Sequence, residues 1–327
     1  MKQTIFSAVQ PSGELHLGNY LGALKNFLEL QKEYNCFFFI ADYHSITGNY
    51  NPKEKSQQIF DLALDFLAAG LDPEKCILAI QSQIPEHTEL TWIFNTVTPI
   101  SELERMTQFK DKANHQDKNI NMGLFDYPVL QAADILIYKA GLVPIGQDQV
   151  QHVELTRKIA RFFNNKFGET FPEPKPLLTE TPKIMSLADP TKKMSKSHGA
   201  KSYLGINDEP EIIKKKLKSA VTDTGATGQV NPAIENLFLL LEIFSNPEKV
   251  RYFKTAHQNK DIKYSELKET LATDIANYFA PFREKRKELD AKPDYVKEVL
   301  KEGAEKAKAT ARETMKEVRG KIGLILK

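Results

Sequence analysis

The chain opens on a short apolar run, Thr4-Ile5-Phe6-Ser7-Ala8-Val9, without polar alternation. Absence of alternation marks a strand buried on both faces. Gln10-Pro11-Ser12-Gly13 breaks the run, and Leu17, Leu21, Leu24 and Leu28 then recur at helical spacing up to about Tyr34. Residues 36–41 form the next apolar run. Strand, helix, strand in that order needs a crossover, and so parallel strands. Asn51-Pro52-Lys53-Glu54 reads as a helix start: a capping Asn, Pro in the first turn, and Glu placed to close a capping box. Ile59, Leu62, Ala63, Phe66 and Leu67 form the apolar stripe of that helix, Gly70 ends it, and residues 75–82 read as another buried strand. Repeated alternation of this kind predicts an α/β fold with a doubly wound parallel sheet.

A helix over about 128–140, a strand over 142–145 and a long helix over about 149–167, closed by Gly168, continue the pattern. Residues 171–176, Phe-Pro-Glu-Pro-Lys-Pro, read as a stiff connector, and 184–187 as a return to the sheet. Beyond about Pro210 the strand signals fade into amphipathic, lysine-rich helices, among them 264–278 and 293–321. The predicted organisation is a sheet domain over 1–200 and an all-α domain over 201–327. The 327 residues suffice for both. A formal net charge of +2 gives no case for a general nucleic-acid binder. Cys36 and Cys76 each lie inside an apolar run, which predicts buried thiols in a reducing compartment rather than a disulfide or a metal site. The chain starts directly into a strand and has no apolar stretch of membrane-spanning length, so a soluble cytoplasmic protein is expected.

Two segments carry chemistry that this plan leaves unexplained. Lys193-Met194-Ser195-Lys196-Ser197 pairs two lysines with two hydroxyls, a composition suited to wrapping a polyanion; a solvated basic loop is the plainer reading. Far upstream, Gly13-Glu14-Leu15-His16-Leu17-Gly18-Asn19 forms the first βα turn. Gly13 and Gly18 allow close approach of backbone to a ligand, and the helix starting near Gly18 turns free N–H groups toward an anion. His16 can donate to a phosphate oxygen, and Asn19 can donate or accept. Alone, the turn fits an ordinary βα connection equally well. It is not the dinucleotide-binding G-x-G-x-x-G pattern, because the glycine spacing differs. On the helix near 127–140, Tyr127, Gln131, Asp134 and Tyr138 recur at i, i+4, i+7 and i+11. Val129, Ala132, Ala133, Leu136 and Ile137 form the apolar stripe beside them. Tyrosines, an amide and a short carboxylate favour a pocket wall over a solvated face, with a buried structural network as the other reading.

Together the two boxes resemble those of the class I aminoacyl-tRNA synthetases, over nearly the whole chain. Residues 13–19 are similar to the HIGH box of the tryptophanyl and tyrosyl branch, and Lys193 to Ser197 to the KMSKS loop. The resemblance implies a Rossmann-like catalytic domain followed by a helical tRNA (anticodon)-binding domain, and a homodimer. It implies ATP as substrate, with magnesium carried on the nucleotide and no protein-bound metal. In amino-acid activation a carboxylate attacks the α-phosphorus and pyrophosphate leaves, so positioning and positive charge dominate. By resemblance His16, Asn19, Lys193 and Lys196 are catalytic. Lys112 is a third cation by the same resemblance, although a solvated lysine explains it as well. Gln10, Pro11, Ser12, Gly18, Gly146, Gln147, Asp148, Ile184, Met194, Ser195 and Ser197 would surround ATP, with Ile184 bordering the adenine.

Ala132-Ala133-Asp134-Ile135-Leu136 followed by Val143-Pro144-Ile145-Gly146-Gln147-Asp148-Gln149 is similar to the tryptophanyl pattern. Asp134 would then accept the indole N–H, Tyr127 and Gln149 would hold the ammonium and carboxylate, and Gln131 and His44 would complete the amino-acid site. The implied activity is ligation of tryptophan to its tRNA. Three residues depart from the family pattern: Gln131 stands for a common Met, Gln147 for a usual Glu and Tyr43 for a usual Gln. Gln131, frequent in tyrosyl enzymes, makes these the nearest rival. A nucleotidylyltransferase with an HxGH-type turn and a non-enzymatic tRNA or tryptophan sensor are more distant.

Overall fold

The computed structural model describes residues 2–107, 120–179, 182–222 and 231–325, so Lys112 lies outside the described residues. Five strands form one parallel sheet: β1 (Thr4–Val9), β2 (Asn35–Ile40), β3 (Cys76–Ile80), β4 (Leu142–Ile145) and β5 (Lys175–Leu178). Their order is β3-β2-β1-β4-β5. β1 and β2 pair from Thr4 opposite Asn35 to Val9 opposite Ile40. Strand order reverses at β1, which has β2 on one side and β4 on the other. In open α/β sheets the crevice outside the carboxyl ends of the strands at such a reversal is where ligands bind.

The chain divides into two compact units, and the division does not follow the cut at residue 200 suggested by the sequence. One unit comprises Met1–Gly13, Asn26–Glu180 and Lys292–Lys327; the other comprises Glu14–Lys25 and Thr181–Ala291. The first contains the sheet. Phe37, Phe38, Phe39 and Ile40 are all buried, as an unbroken apolar strand requires. Helix Met122–Leu136 is buried along its apolar stripe, with Val129, Ala132, Ala133 and Leu136 inaccessible. It starts earlier than the sequence suggests, because Asn121 caps it by accepting the Leu124 N–H at 3.0 Å and Pro128 is taken into the helix interior. Asn51 caps helix Pro52–Ala69 as expected, accepting the Lys53 N–H at 3.1 Å, but Glu54 meets the Asn51 side-chain amide at 2.6 Å.

Three further expectations are corrected. β5 begins within the segment read as a connector and runs past it to Leu178; Pro176 has no N–H to give, and an edge strand tolerates that. Residues 184–187 do not return to the sheet, where β5 already holds the place beside β4; Met185 instead forms an isolated antiparallel bridge with Lys193. The C-terminal helix Pro293–Ile322, expected in the all-α domain, belongs to the sheet unit and packs on β3 and on helix Glu86–Asn95. Val296, Leu300, Ala304, Ala307, Ala311, Met315 and Val318 form its buried stripe. Arg312 pairs with Glu86 at 3.3 Å and Glu317 with Lys139 at 2.7 Å.

In the second unit, residues 15–17 run beside 204–206. Leu17 N–H donates to the Leu204 carbonyl at 2.9 Å, Ile206 N–H to the Leu15 carbonyl at 3.0 Å, and His16 lies opposite Gly205. Helices Pro210–Lys218, Pro232–Phe244, Pro247–Gln258, Tyr264–Tyr278 and Ala280–Asp290 follow. The single helix expected from Leu17 onward is broken: a turn at Leu17–Asn19 leads into a π-helical turn at Tyr20–Leu24, before helix Lys25–Glu33. The wider turn rotates the residues after it, and Tyr20 lies edge-on to Phe279 at 5.0 Å with its hydroxyl 3.0 Å from that of Tyr278. Cys36 and Cys76 are free, buried and opposite one another across β2 and β3, and burial pushes each thiol up to about 12. No helix among the described residues is long and apolar enough to cross a membrane.

Gly303 marks the tightest seam of the sheet unit, because a Cβ there would collide with the Leu78 carbonyl on β3. Gly303→Ala should lower the unfolding free energy by about 2 kcal/mol or more, read as a lower urea midpoint. An unchanged midpoint would show that the helix docks elsewhere.

Candidate active site

In the second unit the HIGH-like box is held from within. The Nδ1 atom of His16 accepts the Gly18 N–H at 3.1 Å, and Asn19 Oδ1 accepts the His16 N–H at 3.2 Å, a reciprocal capping box. A side chain on Gly18 would stand 2.9 Å from the His16 ring, so the ring position depends on glycine there. Burial, then the charges of Lys196 and Lys193, lower His16 to about 4. The ring is therefore neutral near pH 7. Since its Nδ1 accepts, its proton sits on Nε2, the nitrogen left to donate to a ligand.

Lys196 donates to the Glu14 carbonyl at 2.9 Å, which brings the KMSKS-like loop to the residues just before His16. That loop does pack at one point. Met194 is 2% exposed and its N–H donates to the Ile184 carbonyl at 2.9 Å, anchoring a segment whose Lys193 and Ser197 stay exposed. The hydroxyls of Ser195 and Ser197 lie 2.8 Å apart, and Ser202 donates to the Ser195 carbonyl at 2.6 Å. The Ile184 side chain is buried within this unit. A brace absent from the sequence reading supports His16 from behind. The Tyr203 ring is 6.0 Å from the His16 ring, Lys216 lies over Tyr203 at 4.5 Å, and Asp208 accepts from both Lys216 at 2.7 Å and the Gly205 N–H at 2.8 Å.

In the sheet unit, Gln10, Pro11 and Ser12 follow the carboxyl end of β1, while Gly146, Gln147, Asp148 and Gln149 follow that of β4. These are the two strands at the order reversal. Lys55 donates to the Pro11 carbonyl at 3.0 Å, and Gln149 donates to Asp148 at 3.0 Å. Gln147 and Asp148 are exposed; Gly146 is half-buried, and a Cβ there would meet the Asp148 carboxylate at 2.9 Å.

Three of the four polar residues on the stripe, Tyr127, Asp134 and Tyr138, are buried; Gln131 is half-buried. Tyr127 has its hydroxyl 2.9 Å from His152 Nε2, and burial pushes that phenol up to about 12. Asp134 sits in a closed network. Its Oδ1 accepts from Gln81 at 2.8 Å and from His87 Nδ1 at 2.5 Å. Its Oδ2 accepts from Gln81 at 2.9 Å and from His44 Nε2 at 2.7 Å. Burial alone would raise this carboxyl, but the hydrogen bonds from His44 and His87 outweigh it and hold Asp134 well below the usual carboxylate range. His87 and Gln81 did not stand out in the sequence, although both lie just beyond the carboxyl end of β3, the edge of the sheet where a functional group is expected. Among the described residues no group of three or more His, Cys, Asp or Glu side chains is placed to hold a metal ion.

The chain belongs to the class I tRNA synthetases of the W and Y family, whose family model matches residues 1–317. The tryptophan–tRNA ligase of Rickettsia conorii is 45% identical over the full length of both chains, and that of Helicobacter pylori is 42% identical over 99% of each. The tryptophanyl-tRNA synthetase of Campylobacter jejuni, solved with ADP and tryptophan, is 36% identical at a TM-score of 0.87, covering 98% of this chain and 100% of its own. That of Mycoplasma pneumoniae is 34% identical at a TM-score of 0.85, covering 99% and 98%.

The depressed His16 has a measurable consequence. With a value of about 4 in the fold against 6.5 in a free chain, the unfolded state binds more protons between those limits. The fold therefore loses stability as pH falls from 6.5 toward 4. His16→Gln should flatten this stretch of the stability curve, measured by urea unfolding at stepped pH; an unaltered slope would contradict a neutral buried ring.

Proposed function

We propose that the chain activates L-tryptophan with ATP to tryptophanyl-adenylate and pyrophosphate, then transfers tryptophan to the terminal adenosine of its tRNA. The observation that carries this reading is the neutral His16 held beside Lys193 and Lys196. As the carboxylate attacks the α-phosphorus, negative charge grows on the departing pyrophosphate. Lys193 and Lys196 meet that charge, and the Nε2–H of His16, with Asn19, donates to the α-phosphate side. A neutral His16 donates a hydrogen bond without repelling the two lysines. Magnesium arrives on the nucleotide. Gly146, Gln147 and Asp148 take the ribose, Gln10, Pro11 and Ser12 line the turn beside ATP, and Tyr127 and Gln149 receive the amino-acid head group.

Asp134 reads the indole. A carboxylate has about four acceptor positions, and all four are taken here by Gln81, His87 and His44. An incoming ring N–H must replace one donor. His44, with 9% of its side chain exposed against 0% for that of His87, is the one that gives way. An amino acid without a ring donor leaves Asp134 short of a partner and is rejected.

The helices between Pro210 and Asp290 dock tRNA, supported by the lysines of Pro210–Lys218, with phosphate contacts that weaken as salt rises. The partner of the sheet unit is a second copy of this chain. Trp92 and Met122, 73% and 74% exposed, flank the Asn95–Asp126 hydrogen bond (2.9 Å) that joins their two helices. So large an apolar surface at one seam fits a subunit contact. Two free, buried thiols suit a reducing cytoplasm.

Pyrophosphate exchange run separately with each amino acid tests the reaction, which should respond to tryptophan and not to tyrosine. Lys196→Ala should cut the exchange kcat by about 10²–10³-fold while the tryptophan KM moves by less than about 3-fold. Equal losses in both would make the lysine merely structural. Trp92→Asp should sediment as a monomer, and a variant that stays dimeric would place the contact elsewhere.

A further inference from the structure

The partners of Asp134 are not equivalent, and one of them is itself held by a second group. His87 has no exposed side chain. Its Nδ1 lies 2.5 Å from Asp134 Oδ1 and its Nε2 lies 2.6 Å from the Tyr138 hydroxyl. An ionised carboxylate only accepts, so Nδ1 must carry the proton. A neutral imidazole protonated at Nδ1 has Nε2 as its acceptor, and Tyr138 fills it by donating. The phenol thereby fixes both the tautomer and the ring plane of His87.

Tyr138 is in turn clamped. Its ring stacks on Phe37 at 4.4 Å and on Phe6 at 5.7 Å, leaving the hydroxyl one direction in which to point. Burial, with Asp134 and Glu86 nearby, raises the Tyr138 phenol well above its ordinary range, so it stays a donor. On the backbone side, Thr91 donates to the His87 carbonyl at 2.7 Å.

We propose that His87, set by Tyr138, is a positioning residue for amino-acid selection: it holds one oxygen of Asp134 so that the other is left for the ring N–H of the substrate. This rests on the reading of Asp134 as the indole acceptor and deepens it. Without a fixed donor on Oδ1, the carboxylate can rotate, and neither oxygen is held toward the substrate ring. The penalty for an amino acid that lacks the ring N–H then shrinks. His87 touches no substrate in this scheme; its effect passes entirely through Asp134.

The test compares kcat/KM in pyrophosphate exchange for tryptophan and for its sulfur isostere, in which the indole N–H is replaced by a ring sulfur. Tyr138→Phe keeps the stacked ring and removes only the hydroxyl. It should reduce the tryptophan-to-isostere preference by about 10-fold, while the ATP KM holds nearly constant. His87→Leu should reduce the preference by about 100-fold, and His87→Asn, whose amide can reach the Nδ1 position, should restore most of it. A merely structural role would lower both kcat/KM values together and leave their ratio alone. If Asp134→Ala collapses the preference while Tyr138→Phe and His87→Leu leave it intact, the positioning role is overturned and the acceptor role stands. If Asp134→Ala itself leaves the preference intact, both fall.

Discussion

A carboxylate that is only 1% exposed can remain ionised only if hydrogen-bond donors replace the water it has lost. Asp134 meets that condition with donors drawn from two distant parts of the chain. His44 follows β2, Gln81 and His87 follow β3, and Asp134 itself lies on helix Met122–Leu136. Register therefore matters beyond the sheet. Asp42 accepts from both the Tyr43 N–H at 3.1 Å and the Ser82 N–H at 2.9 Å, joining the segments that leave β2 and β3. A slip of one residue between those strands would separate the donors and leave a bare buried charge, which costs about 3–5 kcal/mol.

The second unit solves the opposite problem. There an imidazole must remain uncharged next to two lysines, and burial with cationic neighbours achieves it. One site keeps a charge by supplying donors; the other refuses a charge by supplying cations and withholding water. Both results suit a reaction in which the protein makes no covalent bond. Selection needs an acceptor that never turns into a donor, and phosphate chemistry needs a donor that does not compete with the lysines for charge.

Much of this was legible in the sequence because local rules and tertiary structure agree. The first three strands, the Asn51 cap and the Gly168 helix end all lie where their residues suggest. The readings failed where position in the sheet overruled local composition. Pro176 looked like a connector because its ring excludes a central strand, yet it sits on an edge. Pro128 looked like a helix start, but the true cap was Asn121. The lysines of Pro293–Ile322 drew attention to its polar face, whereas its alanines and Gly303 decide its place through close approach to β3. Met194 was read as part of a loop that wraps a polyanion, yet its side chain is buried and anchors that loop. The roles of Gln81 and His87 depend on partners 53 and 47 residues away, and no local pattern encodes such a meeting.

Because Lys292–Lys327 completes the sheet unit, that unit joins segments lying on either side of Thr181–Ala291 in the chain. During synthesis, N-terminal segments generally fold first. Here β3 emerges early but waits for its covering helix until Pro293–Ile322 has been made. Until that helix has been made, the apolar flank that Ala304, Ala307 and Ala311 will cover stands open to water and to other nascent chains. A chain cut within that helix would keep His44, Gln81, His87 and Asp134 on a sheet without its cover, so quality control that senses exposed apolar edges would single it out.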